Sequence, residues 1–515
     1  MEKICTILFA ISILCTSFAW AGKYPIVDTG QEACFNNRKQ INCPEKGKSF
    51  YGQDGQYKGK EPKYIDNGDG TITDMVTGLM WVKARGPQLS WQNAMDGAEN
   101  CRVGGYSDWR APTIKELYSL IDFNGWVQGT EEYSTPFIDT DYFEFKFGDT
   151  KSGSRIIDCQ DWSSTVYVSK TMGNNPTAFG VNFADGRIKG YGKIYRRSKD
   201  KRYIRYVRGN TDYGKNDFVD RKDGTIEDKA TSLIWQKKDS GKKLNWEQAL
   251  KYCEDLTLAG RSDWRLPNAK ELQSIVDYSR SPKTSNSAAI DPLFSVTEKE
   301  SYYYTSTTHM DGPKPSHAAY VAFGRAIGYF APPQSSNKKW IDVHGAGAQR
   351  SDPKSGNPDN YPQGHGPQGD DIRIYNYARC VSGGGVEIYE PPYTRIPNWH
   401  GGNPGESGMR KEGRGNMQGF SSGQNRNRQF SNQQEYDPNM NQGMMMQNGK
   451  GQGRGNRQGP PEEAFTACEG LSQGDECTVQ TPHGTLNGIC QSRSDQIFCV
   501  PERHGRGGMR GGPPQ

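Results

Sequence analysis

No two cysteines of this 515-residue chain stand in a CxxC pair, which removes the ligand spacing of a zinc ribbon and of a thioredoxin-like redox site. Histidine is scarce, and its seven members (His309, His317, His344, His365, His400, His483 and His504) all fall in the second half. Apolar residues make up only 33% of the chain, and glycine numbers 62; parts of the chain are therefore not expected to pack a core. Beyond the first twenty or so residues no run is apolar enough to cross a bilayer. A net charge of +5 is too small to name a partner by itself.

The chain starts "MEKICTILFAISILCTSFAWAGK". Lys3 opens it, Ile4 to Phe18 is apolar, and Ala19-Trp20-Ala21 fits a small-x-small cleavage site. A secretory signal peptide removed after Ala21 is expected, and with it a secreted, extracellular or cell-surface destination, the periplasm being the other compartment. Ten cysteines remain: Cys34, Cys43, Cys101, Cys159, Cys253, Cys380, Cys468, Cys477, Cys490 and Cys499. An even number in an exported chain reads as disulfides.

The chain says much of itself twice. "YIDNGDGTITDMVTGLMW" from Tyr64 is answered by "FVDRKDGTIEDKATSLIW" from Phe218, "SWQNAM" by "NWEQAL", and "SDWRAP" from Ser107 by "SDWRLP" from Ser262. The offset is 154 residues at the first pair and 155 at the last, so a whole domain is duplicated, not a solenoid unit. In each copy "DGTI" reads as a hairpin turn, with Gly70 and Gly224 at positive φ; a calcium loop fails, because glycines fall where oxygen ligands are needed. Ser90 and Asn245 read as helix N-caps. Thr113 with Glu116, and Asn268 with Glu271, carry the capping-box spacing after a stiffening proline. Trp109 and Trp264 are apolar anchors, and Arg110 and Arg265 have Asp108 and Asp263, or a helix carboxylate, to pair with. A strand-to-helix junction built twice is the expected role of the hexamer; a catalytic Asp-Arg pair is the alternative.

Aligned on the hexamers, Cys253 stands opposite Ala98, and "RCVSG" places Cys380 opposite Tyr206 of "RYVRG". Both cysteines are missing together from copy one, so Cys253 and Cys380 are expected to bond, tying the first helix to the last strand. Cys101 with Cys159, and Cys34 with Cys43, are the other expected pairs. The remaining four, spaced C-x8-C-x12-C-x8-C, imply a small stapled module of short strands whose pairing is left open.

The series "TGQEACFNNRKQINC", "DNGDGTITDMVTGLMW", "SDWR-P…KEL", "WSST" and "RYVRG" resembles the DUF1566 or Lcl C-terminal domain family, in two copies over about residues 29–385. The resemblance implies an α+β fold of variant C-type-lectin-like type and a secreted or surface protein. It also implies binding of sulfated glycosaminoglycans in adhesion, and no catalytic motif.

With no histidine in copy one, no activity shared by the copies uses a histidine base. "KGYGKIYRRSKDKRYIRYVR" (189–208) holds nine basic residues against Asp200, with tyrosines interleaved. Lys189, Lys193, Arg196, Arg197, Lys199, Lys201 and Arg202, with Tyr195 and Tyr203, are the candidate ligand-binding residues, because guanidinium forks pair with sulfate and carboxylate. A solvated hairpin whose charges block edge pairing is the alternative. Copy two departs by an insertion, about 329–371, with His344, His365, Asp342, Asp352, Asp370 and Asp371 as loose candidates for a metal. From Gly401 to Pro461 the composition collapses to Gly, Asn, Gln, Met and Arg, a disordered tether.

The expected organisation is a signal peptide at 1–21, a disulfide-loop segment at 22–63, copies at 64–209 and 210–385, a disordered linker at 386–461, a four-cysteine β module at 462–502 and a disordered tail at 503–515. No catalytic residue, cofactor or metal is expected. The expected function is binding of an anionic polysaccharide or other extracellular polyanion, on a cell surface or in a matrix. The alternatives are a structural assembly protein without a specific ligand and a metal-dependent enzyme centred on the insertion.

Overall fold

The structure, a computed structural model, describes residues 22–194, 201–332, 335–389, 467–468, 475–481, 484–493 and 496–501. The expected signal peptide, Tyr195, Arg196, Arg197, Lys199, most of the linker and the tail lie outside the described residues. The chain divides into two units, 1–443 and 444–515. It is mostly β, with few and short helices.

Each copy is assembled in the same order. A three-stranded antiparallel meander begins it, at Tyr64–Asp66, Thr71–Asp74 and Leu79–Val82 in copy one. Copy two uses Phe218–Asp220, Thr225–Asp228 and Leu233–Gln236. The turns use Gly70 at φ 87° and Gly224 at φ 91°, as their lack of a Cβ permits. Asp69 braces one turn by accepting from the Thr71 amide at 3.0 Å and hydroxyl at 2.6 Å. Asp223 does the same for Thr225. The meanders are closed by Val207–Gly209 and Val381–Gly383, the last strand of each copy.

Helices α1 (Trp91–Asp96) and α3 (Trp246–Glu254) start on the side chains of Ser90 and Asn245. Helices α2 (Ile114–Ser119) and α4 (Ala269–Ser274) start on complete capping boxes from Thr113 and Asn268. The hexamers are therefore junctions. Arg110 forks onto Glu116 at 2.7 and 2.6 Å, and Arg265 onto Glu271 at 2.6 Å twice, so the capping-box glutamate is also the arginine's counter-ion. The hexamer backbone bonds to the last strand, Arg110 with Val207 and Arg265 with Val381. Asp108 and Asp263 turn elsewhere, to Arg208 and to Arg261 with Ser382.

The copies are fused. Strands β1 (Asp161–Thr171), β2 (Asn175–Asn182) and β3 (Arg187–Gly192) belong to copy one. Copy two supplies β4 (Tyr302–His309), β5 (His317–Ala322), the hairpin β6 (Ile327–Phe330) and β7 (Lys339–Asp342), and β8 (Gln349–Pro353). One antiparallel sheet runs β4-β5-β8-β3-β2-β1 across both, joined where Ile188 faces Gln349. Beneath it a common apolar core mixes Ile72, Trp81, Leu117 and Phe179 with Ile226, Trp235, Leu272 and Val321. The lysines of the two "KEL" motifs cross over: Lys115 donates to the Ser274 carbonyl at 2.6 Å and Lys270 to that of Ser119 at 2.9 Å. Burial lowers both lysine pKa values to about 8.

Cys34 bonds to Cys43, and Cys253 to Cys380, joining α3 to the approach to the last strand. Cys101 and Cys159 do not bond, against expectation. Cys159 is enclosed with Val127, Phe147, Ile156 and Ala184, and burial raises its thiol to about 12. Cys101 follows α1, beside Tyr206. Copy one fastens its helix differently: the Tyr206 hydroxyl donates to the Ala94 carbonyl at 3.0 Å, from the position Cys380 holds in copy two. In the second unit, Glu476–Thr481, Gly484–Arg493 and Gln496–Pro501 form a meander stapled by Cys468–Cys490 and Cys477–Cys499.

Candidate binding face of copy one

Part of the basic stripe gathers on one face and part does not. α1 presents Trp91, whose indole is fixed by donation to the Ser163 carbonyl at 3.0 Å. The Lys193 ammonium stands 3.8 Å from the centre of that ring. The Arg202 guanidinium lies 4.8 Å from Tyr191 and 5.6 Å from Trp162, whose rings meet edge-on at 6.0 Å. Trp162 and Ala178 form the buried floor, and Trp91, Tyr191 and Leu89 pack on it half-buried. Cations seated on π faces are held in place while still offering charge outward. Lys201 is half-buried next in the chain.

Lys189 does not join this cluster. It points to the seam between the copies, where Asp185 takes it at 3.3 Å, and burial lowers its pKa to about 8. Tyr203 is likewise used internally, with the Arg85 guanidinium 4.1 Å from its ring. By register Lys189 shares the sheet face of Trp162 and Tyr191, since it pairs with Gly180 opposite Trp162 and stands two residues before Tyr191; it is Asp185 that holds it at the seam end. Trp91 was missed as a site residue because its motif reads equally well as a helix start; its recurrence as Trp246 was the available signal.

The insertion's acidic and histidine residues do not converge. The His344 Nε2–H donates to the Asp370 carboxylate at 2.9 Å, and Asp370 also pairs with Arg350. Asp342 accepts from the Tyr167 hydroxyl at 2.7 Å, and Asp352 from Asn376 at 2.9 Å. His365 meets Asp370 through backbone only, and Asp371 takes Arg373. Among the described residues the one cluster with metal-ligand proximity is Cys468, Cys477 and Cys499, and all three are in disulfides. A cavity of about 10 Å³, room for about one water, lies between Lys115, Lys270, Tyr24 and Tyr118. Among the described residues no helix is long and apolar enough to cross a membrane.

Fold and face together define a duplicated, disulfide-bonded β-rich protein whose repeated motifs are structural. Two segments, residues 70–208 and 224–341, match the model of the Lcl C-terminal domain, and the chain belongs to that family in two copies. No curated protein and no solved structure matches the chain.

Proposed function

We propose that the protein is a secreted or surface binding protein that takes an anionic extracellular polysaccharide on the Trp91–Lys193–Arg202–Tyr191 face, in adhesion or matrix attachment. The carrying observation is the pairing of Lys193 with Trp91 and of Arg202 with Tyr191 over one buried aromatic floor. Fixed cations suit sulfate or carboxylate groups, and rings suit the apolar faces of sugars. The short helices packed on antiparallel strands are compatible with the variant C-type-lectin-like arrangement that the family implies, and this reading adopts it. Binding, not catalysis, is the activity proposed.

The test is retention of the mature protein on heparin and on a neutral polysaccharide over a salt series. Salt-reversible retention on heparin alone is expected, since contacts to a polyanion release counter-ions. Lys193→Glu with Arg202→Glu is expected to weaken affinity by about tenfold or more, the equivalent of about 1.4 kcal/mol. Unchanged retention of that variant would sink the proposal.

A further inference from the structure

The face just described has a twin in copy two. There the Lys354 ammonium stands 4.0 Å from the centre of the Trp246 ring. The scaffolding bonds are the same: Trp246 donates to the Thr305 carbonyl at 2.8 Å, as Trp91 does to Ser163 at 3.0 Å. The Lys354 amide bonds to the Ser316 carbonyl at 2.8 Å, as that of Lys193 does to Pro176 at 2.9 Å. The twin is covered. Lys354 donates to the Asn36 carbonyl at 3.3 Å and lies 5.6 Å from the Phe35 ring, and Phe50 packs on Trp246 at 6.2 Å. Phe35 and Asn36 belong to the loop closed by Cys34–Cys43, and Phe50 follows seven residues after it.

We propose that copy two carries a second, capped polyanion site, with Trp246 and Lys354 as its inner pair and the Cys34–Cys43 loop as its lid. This rests on the binding reading given for copy one. Two observations point to the occupant. Among the described residues the buried ammonium has only the Thr308 hydroxyl at 2.8 Å, the Asn36 carbonyl and the indole as polar company, and burial alone accounts for its lowered pKa. An ammonium held without a carboxylate gains most from a ligand that brings an anion. The lid and the chain just after it are cationic outward: Arg38 and Lys39 are exposed on the loop and Lys46 and Lys48 beyond Cys43, with Glu45 the one acid between Asn36 and Phe50. A polyanion meets the lid first, and its contact with Lys354 then offsets the cost of lifting the loop.

The experiment is calorimetric titration of the full mature chain with a heparin oligosaccharide of defined length. Two sites are expected, one of which disappears in Lys193→Glu/Arg202→Glu. Adding Lys354→Met, which removes a buried charge and is not expected to unfold the protein, should weaken the remaining site at least tenfold. Arg38→Glu/Lys39→Glu, at exposed positions, should weaken it too. Loss of all binding in Lys193→Glu/Arg202→Glu overturns this inference and leaves the copy-one reading standing. A remaining site indifferent to Lys354→Met also overturns it. No binding by the wild type overturns the copy-one reading, and the capped site with it. Amide exchange over Asn36–Ile41 gives a second readout: saturation with the oligosaccharide should speed it, and unchanged or slowed exchange would mean the loop is no lid.

Discussion

Arg265 and Glu271 are both almost fully enclosed, at 5% and 2% side-chain exposure, and each satisfies the other with two parallel bonds. Removing one partner leaves a buried charge uncompensated, so Arg265→Met is expected to cost about 3–5 kcal/mol. The equivalent Arg110 is 30% exposed, and Arg110→Met should cost about 1 kcal/mol, since water takes over part of the pairing. Urea unfolding of both variants measures the difference; equal costs would contradict the burial argument. Asp54 gives a pH signature. It is buried, accepts from Thr29 at 2.8 Å and Thr307 at 2.5 Å, and burial raises its pKa from 3.8 to about 8. Between those values the folded chain holds a proton that the unfolded chain releases. Its contribution is thus complete below pH 3.8 and lost as pH rises through about 8. Asp54→Asn should therefore flatten stability across that window, relative to the wild type, in melts taken at several pH values.

At the scale of elements, the Cys253–Cys380 bond and the Tyr206–Ala94 hydrogen bond fasten the same helix to the same end of the sheet. Cys253→Ser/Cys380→Ser is expected to cost about 2–5 kcal/mol, and Tyr206→Phe about 1 kcal/mol; chemical denaturation compares them. The cysteine pair was legible because both members vanish from copy one together. So were the turns at Gly70 and Gly224 and the helix starts at Thr113 and Asn268, because caps and tight turns are local chemistry. The pairing of Cys101 with Cys159 was not, since an even count carries no distance. Nor was the insertion's main product. "GRIKGY" at 186–191 and "GRAIGY" at 324–329 read as the same strand in each copy. Yet β5 pairs with β8, from the insertion, while β6 turns aside to pair with β7. Lys354 becomes the counterpart of Lys193 only through that exchange, so the twin face was visible in space and not in sequence order.

At the scale of the whole molecule, the duplicated copies are not two bodies on a tether. The shared sheet, the crossed lysines and the N-terminal segment all bridge them. Gln31 alone bonds to Phe123 of copy one at 3.2 Å and to the Thr308 carbonyl of copy two at 2.8 Å. The seam carries like charges: Lys189 and Arg350 occupy matching register positions, opposite Gly180 and Tyr320. Each is neutralised from its own copy, by Asp185 and by the insertion's Asp370. Asp370 also holds His344, whose pKa burial lowers to about 4. Asp370→Asn therefore strips the counter-charge from a largely enclosed arginine, 12% exposed, beside a second largely enclosed cation, and about 2–4 kcal/mol should be lost. Because the core beneath the sheet mixes residues of both copies, that loss belongs to both. Calorimetry should give one unfolding transition for the fused unit, with calorimetric and van't Hoff enthalpies in agreement. Asp370→Asn should lower it as a whole. Two transitions, with only the copy-two one displaced, would mean that the copies fold independently and that the seam is a contact instead of a core.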